Sequence, residues 1–330
     1  MPIDRIIEHN KRTGWGSLTE TGLRMESFPM RLFRKGNKKF WNPEDIDFSQ
    51  DAADFAAMTD DEKRMTLVLA SQFMAGEESV TQDLQPFCHA MAAEGRLSDE
   101  AYLTQFIFEE AKHMQGFRLW FNAIGETGDL HSHVEYGSAY DVIFKQELPK
   151  SLFALQDDPS PANQIRASVT YNHVVEGTLA LTGYFAWARV CASRNILPGM
   201  QRLVKLIGDD ERRHMAWGTF TCRRHVAADD KNWEVVDERM QELLPASLQL
   251  IVGLFDEYEK EGVPVPFGIS IDEMSDYALD KVNRRMESIE SARGQDVYSI
   301  DEDYSPMEME DRFGDEDDKQ IREALVGASA

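Results

Sequence analysis

Two Glu-x-x-His pairs, Glu110 with His113 and Glu211 with His214, are the residues best placed to do chemistry, and each pair follows a lone glutamate, Glu77 or Glu176. On a helix a spacing of three puts glutamate and histidine on one face, a turn apart. Four carboxylates and two imidazoles delivered by four helices form the ligand set that holds two transition ions in a helical bundle. Such an oxygen-rich set suits iron and manganese, as two irons or as a mixed pair. The chemistry expected of such a pair is the reduction of dioxygen. The lone glutamate precedes its pair by 33 residues in one half and 35 in the other. Two similar helical hairpins around a pseudo-two-fold axis would write that spacing.

The surroundings separate these residues from chance matches. Glu110 shares its face with Leu103, Phe106, Ile107, Met114 and Phe117, while its neighbour Glu109 has Gln105 and Lys112 at the same offsets, a polar face. Glu211 has Val204, Ile207, Met215 and Gly218 on its face. Glu77 lies among Phe73, Met74, Val80 and Thr81, and Glu176 among Val169, Leu179, Ala180 and Gly183. Four carboxylates on apolar faces cannot all stay ionised without cations. Asp210, which faces a different direction from Glu211, is a candidate acceptor for the second N–H of a ligand histidine.

The elements that must position these groups are helices, so the fold class is all-α. Thr59 and Glu62 form a capping box that starts the first ligand helix, which runs to about Pro86. The second spans about Ser98 to Gly125, and a connecting helix covers about Ser138 to Gln156. Ser160-Pro161 opens the third, which carries Glu176 to about Ser193. The fourth follows Pro198-Gly199 to about Val226, and two more, Trp233 to Glu261 and Ile271 to Arg293, wrap the bundle. This gives a single metal-binding domain over residues 1–300, irregular over about 1–55, followed by an acidic, mobile tail over 301–330. Gly76, Gly116, Gly177, Gly183, Gly208 and Gly218 fall inside ligand helices, where glycine costs about 1 kcal/mol against alanine. Close helix packing accounts for them, or a cavity beside the metals, for which Gly76, Gly177, Gly183 and Gly208 are the candidates.

Net charge is −24 over 330 residues, which excludes the positive footprint that nucleic acid demands. No apolar run is long enough to span a membrane, and Met1 to Asn10 lacks a signal-peptide core. Three cysteines, Cys88, Cys191 and Cys222, form no motif and fit inert core thiols in a cytoplasmic protein. The run Asp301 to Gln320 holds ten acidic and two basic residues. Opposite in sign, Arg31, Arg34, Lys35, Lys38 and Lys39 cluster near the other end, as a solvated strip or as a contact for an anionic partner or the acidic tail itself.

Several segments carry a resemblance: Phe40-Trp41-Asn42-Pro43-Glu44-Asp45-Ile46-Asp47-Phe48, Gly76-Glu77-Glu78-Ser79-Val80-Thr81, Tyr171-Asn172-His173-Val174-Val175-Glu176-Gly177 and Asp210-Glu211-Arg212-Arg213-His214. Over about residues 25–290 the chain resembles ribonucleotide reductase small subunits, and more closely their relatives, the ligand-binding oxidases. The resemblance implies a ferritin-like four-helix bundle with additional helices, a homodimer, and manganese and iron, one of each, on the six residues named, with two irons as the alternative. It also implies that oxygen activation links Val80 to Tyr171 through an ether, which makes Glu77 rather than Glu78 the ligand, and that a long-chain fatty acid binds the metals through its carboxylate. A radical-generating reductase subunit is the competing reading. Phe117, one turn after His113, removes a tyrosyl radical site there but not storage of the oxidising equivalent on the metals. A ferritin-like iron store and a fatty-acid carrier stand behind it.

Overall fold

The computed structural model describes residues 14–20, 22–134 and 139–328, and among them every regular element is a helix. The capping box forms as expected, with Thr59 Oγ1 accepting from the Glu62 amide and Glu62 accepting from the Thr59 amide. It opens α3 (Asp60–Asp83), the Glu77 helix. Before it come α1 (Phe28–Lys38) and α2 (Ser49–Ala56). Pro86 does not end α3 but starts a separate helix, α4 (Gln85–Glu94), where its missing N–H is no loss. The Glu110 helix is α5 (Leu97–Ile124). A π-helical stretch, Asp141–Glu147, then leads into α6 (Leu148–Asp157); the expected start of this connection, Ser138, lies outside the described residues.

The third ligand helix is continuous in space but changes its winding. It begins as α7 (Pro161–Ser168), widens into a π-helix over Val169–Ala180 and returns to α geometry as α8 (Leu181–Arg194). The fourth is α9 (Pro198–Ala228). The expected helix over 233–261 breaks near Leu254 into α10 (Asn232–Gly253) and α11 (Asp256–Glu261), and α12 (Ile271–Glu290) covers the bundle. The core is rich in fully buried aromatics, among them Phe106, Phe117, Trp120, Trp187 and Trp217.

Both chain ends depart from expectation. Within the stretch expected to be irregular, α1 and α2 are regular helices; α1 buries Phe28, Met30 and Leu32 and turns its lysines and arginines outward. Residues 1–13 and 21 of that stretch lie outside the described residues. After the short α13 (Val297–Ile300), the acidic stretch is not a solvated tail but α14 (Ser305–Ala328). It buries Met307 and Phe313, and Glu310, also fully buried, accepts from Arg285 at 2.6 and 2.7 Å. Lys35 binds Asp311, Lys281 and Arg284 bind Glu316, and Lys205 binds Asp318. The cations that neutralise this run come from helices distant in sequence, so local charge counting overstated its solvation.

Candidate metal centre

The four ligand helices bring all six expected residues to the middle of the bundle, each at most 5% exposed. They form two overlapping groups, Glu77-Glu110-His113-Glu211 and Glu110-Glu176-Glu211-His214, within each of which one ligand atom per residue lies within 4.8 Å of the others. Glu110 and Glu211 belong to both. Each histidine turns Nδ1 inward: His113 Nδ1 is 3.4 Å from Glu77 and 3.3 Å from Glu211, and His214 Nδ1 is 2.9 Å from Glu110 and 3.5 Å from Glu176. The buried Nδ1 atoms, Glu110 Oε1, Glu176 Oε1 and Glu211 Oε2 have no hydrogen-bond partner. Buried polar atoms are otherwise nearly always paired, so this inward set fits cations.

The electrostatics agree. Burial, then the neighbouring Glu211, pushes Glu110 well above the usual carboxylate range, and the same two causes bring Glu176 up to about 7. Burial would raise Glu211 too, but the two imidazoles facing it, 3.3 Å away at His113 and 3.5 Å at His214, hold it at about 2 as charged neighbours. Against burial, the surrounding carboxylates pull His113 and His214 well above their usual value. Without cations the cluster neutralises itself with protons; cations displace them.

Outside the ligands the two halves brace each other crosswise. His113 Nε2 meets Asp210 Oδ2 at 3.2 Å, and His214 Nε2 meets Glu109 Oε2 at 2.9 Å. Each acid is the residue just before the other half's bridging glutamate. Donation of each Nε2–H to its acid fixes the tautomer that leaves Nδ1 free for a metal. The acids are held in turn: Arg213 donates at 2.6 Å to both Glu109 and Asp210, while Lys112 at 2.7 Å and Trp41 Nε1 at 2.8 Å donate to Asp210. Burial works against ionised Asp210, but these partners hold it well below the usual range. Asp210 thus has the contact expected of it, and Glu109, assigned to a polar outer face, is 3% exposed and its counterpart. The repeated pattern acid-Glu-x-base-His, Glu109 to His113 and Asp210 to His214, was the signal available.

Three further features were missed. The π-helix carries both Tyr171 and Glu176, and π segments concentrate at functional sites. Asn172 within it donates to Glu176 Oε2 at 3.0 Å, and Tyr184 OH donates to Glu211 at 3.4 Å. Tyr171 is fully buried, its hydroxyl unpartnered; burial, and then the four ligand carboxylates around it, keep the phenol protonated well above its usual value.

An apolar cavity, partly open to solvent, reaches Glu77, Glu110, Glu176 and Glu211. Val80, Phe73, Phe144, Leu179 and Leu250 line it, as do Gly76 and Gly183. The glycine expectations divide on this point. Gly76 opens onto the cavity, with Phe144 3.6 Å from a Cβ placed there. Gly183 lines it but also lets Phe73 approach, to 2.5 Å of such a Cβ. Gly177 does not line it: its Cβ position is 2.9 Å from the Asn172 carbonyl and 3.1 Å from Arg285. Gly208 opens onto a different cavity. Gly116 and Gly218 are close-packing glycines, against Leu203 and Asn172.

Residues 29–298 match the family model for the ribonucleotide reductase small chain. The chain belongs to that family. Among solved structures, this family member is similar to the R2-like ligand-binding oxidase from Sulfolobus acidocaldarius, with 35% identity and a TM-score of 0.79 over 87% of this chain and 98% of that one. It is likewise similar to an R2-like ligand-binding oxidase with aerobically reconstituted Mn/Fe cofactor, at 33% identity and a TM-score of 0.78 over 86% of this chain and 99% of that one. A variant of such an oxidase, also with an aerobically reconstituted Mn/Fe cofactor, gives 32% identity and 0.76 over 84% and 98%. The protein is therefore an oxidoreductase of the dinuclear-metal kind with the ferritin-like fold of reductase small subunits. Among the described residues no helix is long and apolar enough to cross a membrane.

Proposed function

We propose that the protein is a manganese–iron oxidase that reduces dioxygen while oxidising a C–H bond by two electrons, beside a bound long-chain fatty acid. The observation that carries this reading is the junction of the two ligand groups, sharing Glu110 and Glu211, with an apolar cavity that ends on them. Glu77 and His113 would hold one ion, Glu176 and His214 the other, with Glu110 and Glu211 between them. When bound, the metal pair supplies Lewis acidity and electrons for dioxygen reduction. Four carboxylates at the end of an apolar channel would repel a fatty-acid carboxylate; over two cations the same end attracts it. Phe73, Phe144, Leu179 and Leu250 would take the acyl chain.

Val80 and Tyr171 would supply the first substrate. Val80 is 3% exposed on the cavity wall and Tyr171 keeps its proton. Joining Val80 carbon to Tyr171 oxygen breaks one C–H and one O–H bond; two protons and two electrons leave to dioxygen, and an ether remains. Glu109 and Asp210 orient the imidazoles, and Asn172 and Tyr184 orient Glu176 and Glu211. The protein is taken to act as a homodimer.

Anaerobic loading with Mn(II) and Fe(II), followed by air, should remove two hydrogens from the intact mass, located in peptides containing Val80 and Tyr171. Tyr171→Phe should abolish the link and keep both metals. Stoichiometric metals with an unchanged mass in the wild type would point to a carrier. A radical-generating reductase subunit is favoured by one observation, the hydrogen-bonded chain from Trp41 through Asp210 to His113. Nucleotide reduction on adding a large reductase subunit would establish that reading and displace the oxidase.

A further inference from the structure

A second cavity, about 280 Å³ and partly open to solvent, lies among α8, α9 and α12 and contains none of the six candidate ligands. Its walls are aromatic: Tyr184, Phe185, Trp187 and Tyr277, with Phe185 stacked on Tyr277 at 4.6 Å. Three nitrogens on these walls are buried without a hydrogen-bond partner, the Trp187 indole N–H, the Arg189 Nε and the Arg212 Nε, and Trp187 itself is fully buried. The roof is the acidic helix α14, which contributes Asp317, Asp318 and Gln320. That helix lies beyond residue 298, where the family match ends.

The charges are divided by element. The cations at this cavity, Arg189, Lys205 and Arg212, belong to the frame helices α8 and α9, and the carboxylates lining it belong to the roof. Lys205 binds Asp318 at 2.7 Å, and Asp317 lies between Arg212, 4.0 Å away and also bound to Asp209 at 2.7 Å, and Lys281 of α12, 3.9 Å away behind the lining. Lifting the roof therefore leaves an aromatic cavity with a positive rim and an unmet indole donor. We infer that this cavity is a second ligand site, for an aromatic or alicyclic molecule bearing an anionic group, and that α14 guards it with carboxylates that occupy the anion's place. A ring stacks among Phe185, Trp187 and Tyr277, and its anionic group displaces Asp317 and Asp318 at Arg212 and Lys205. The same molecule touches Tyr184, whose hydroxyl reaches Glu211, so the site adjoins the metal centre through one side chain. The inference stands whether or not the centre is an oxidase.

The probe is 1-anilinonaphthalene-8-sulfonate, an aromatic anion that fluoresces in apolar surroundings, titrated into the full-length metal-loaded protein. Its neutral counterpart is N-phenyl-1-naphthylamine. Gly208→Leu fills the second cavity, since nothing lies within 4 Å of a Cβ there, and Gly76→Leu fills the first. The saturable signal should vanish in Gly208→Leu and persist in Gly76→Leu. Asp317→Asn with Asp318→Asn should tighten the anion about tenfold and leave the neutral probe unchanged. Cys191, buried on the cavity wall, gives an independent readout that needs no filling variant: its alkylation by N-ethylmaleimide should quicken about tenfold in the double variant and be blocked by the anionic probe. Loss of signal in Gly76→Leu with retention in Gly208→Leu would overturn the site, as would the absence of saturable binding in both wild type and double variant. Equal tightening of both probes would overturn its preference for anions.

Discussion

The two halves of the metal centre carry the same ligand pattern but are built differently. In the first, Glu77 and the Glu110 pair ride on regular α-helices; in the second, Glu176 sits in a π-helical stretch and only Glu211 and His214 lie on an α-helix. The bridging glutamates differ as well. Glu110 is pushed well up by burial and by Glu211, whereas Glu211 is held at about 2 by the two charged histidines beside it. A repeat in sequence fixes where ligands fall but not how charge divides between them. The halves become one site through the crossed acids, Glu109 to His214 and Asp210 to His113.

The largest effect should come from a shared ligand. Glu110→Ala belongs to both ligand groups and should cost both ions, measured as metal per chain after dialysis. The same change should raise the melting temperature of the metal-free protein, because it removes a buried carboxylate facing Glu211. The crossed acids test whether the halves are equivalent. Asp210→Asn strands Lys112 and removes one of Arg213's two carboxylate partners, so a loss of about 3–5 kcal/mol in denaturant unfolding is expected. Glu109→Gln leaves Arg213 on Asp210 and should cost less. Each should weaken metal by about 10–100-fold at the opposite half's histidine, and equal losses at both ions in both variants would mean that the crossing has no directional role.

Gly218→Ala probes the π-helical half alone. Its Cβ would fall 2.2 Å from the Cβ of Asn172, the residue that orients Glu176, so about 1–3 kcal/mol of destabilisation is expected from overpacking. pH sharpens the contrast between carboxylates. Glu176 titrates at about 7 in the fold against an ordinary 4.5, so its contribution to the metal-free fold is complete below pH 4.5 and lost as pH rises through 7. Glu211, held at about 2, works in the opposite sense: its contribution is complete above pH 4.5 and is lost only as pH falls through 2. The gap in melting temperature between metal-loaded and metal-free protein should therefore widen from pH 5.5 to pH 8. The smallest effect is Gly208→Ala, with open space beside it, which should stabilise by about 1 kcal/mol through helix propensity.

Much of this centre could be read before the structure because its rule is local. A spacing of three and an apolar stripe define Glu110 with His113 and Glu211 with His214, and the same stripes orient Glu77 and Glu176. Glu109 escaped because its helical neighbours Gln105 and Lys112 are polar, while the groups that bury it, Arg213 and His214, lie about a hundred residues away. The π-helix escaped because no spacing in the sequence marks a change in hydrogen-bond register. The acidic C-terminal run escaped for the reason that hid Glu109: its partners Lys35, Lys205, Lys281 and Arg285 come from remote helices.

The crossed bracing makes the aim of each imidazole depend on the other hairpin. A first hairpin formed alone has no Asp210 to steady His113, and a second formed alone has no Glu109 to steady His214. Neither imidazole is aimed until both hairpins have docked. Neither half carries a finished pocket by itself, because each supplies the acid that steadies the other's imidazole.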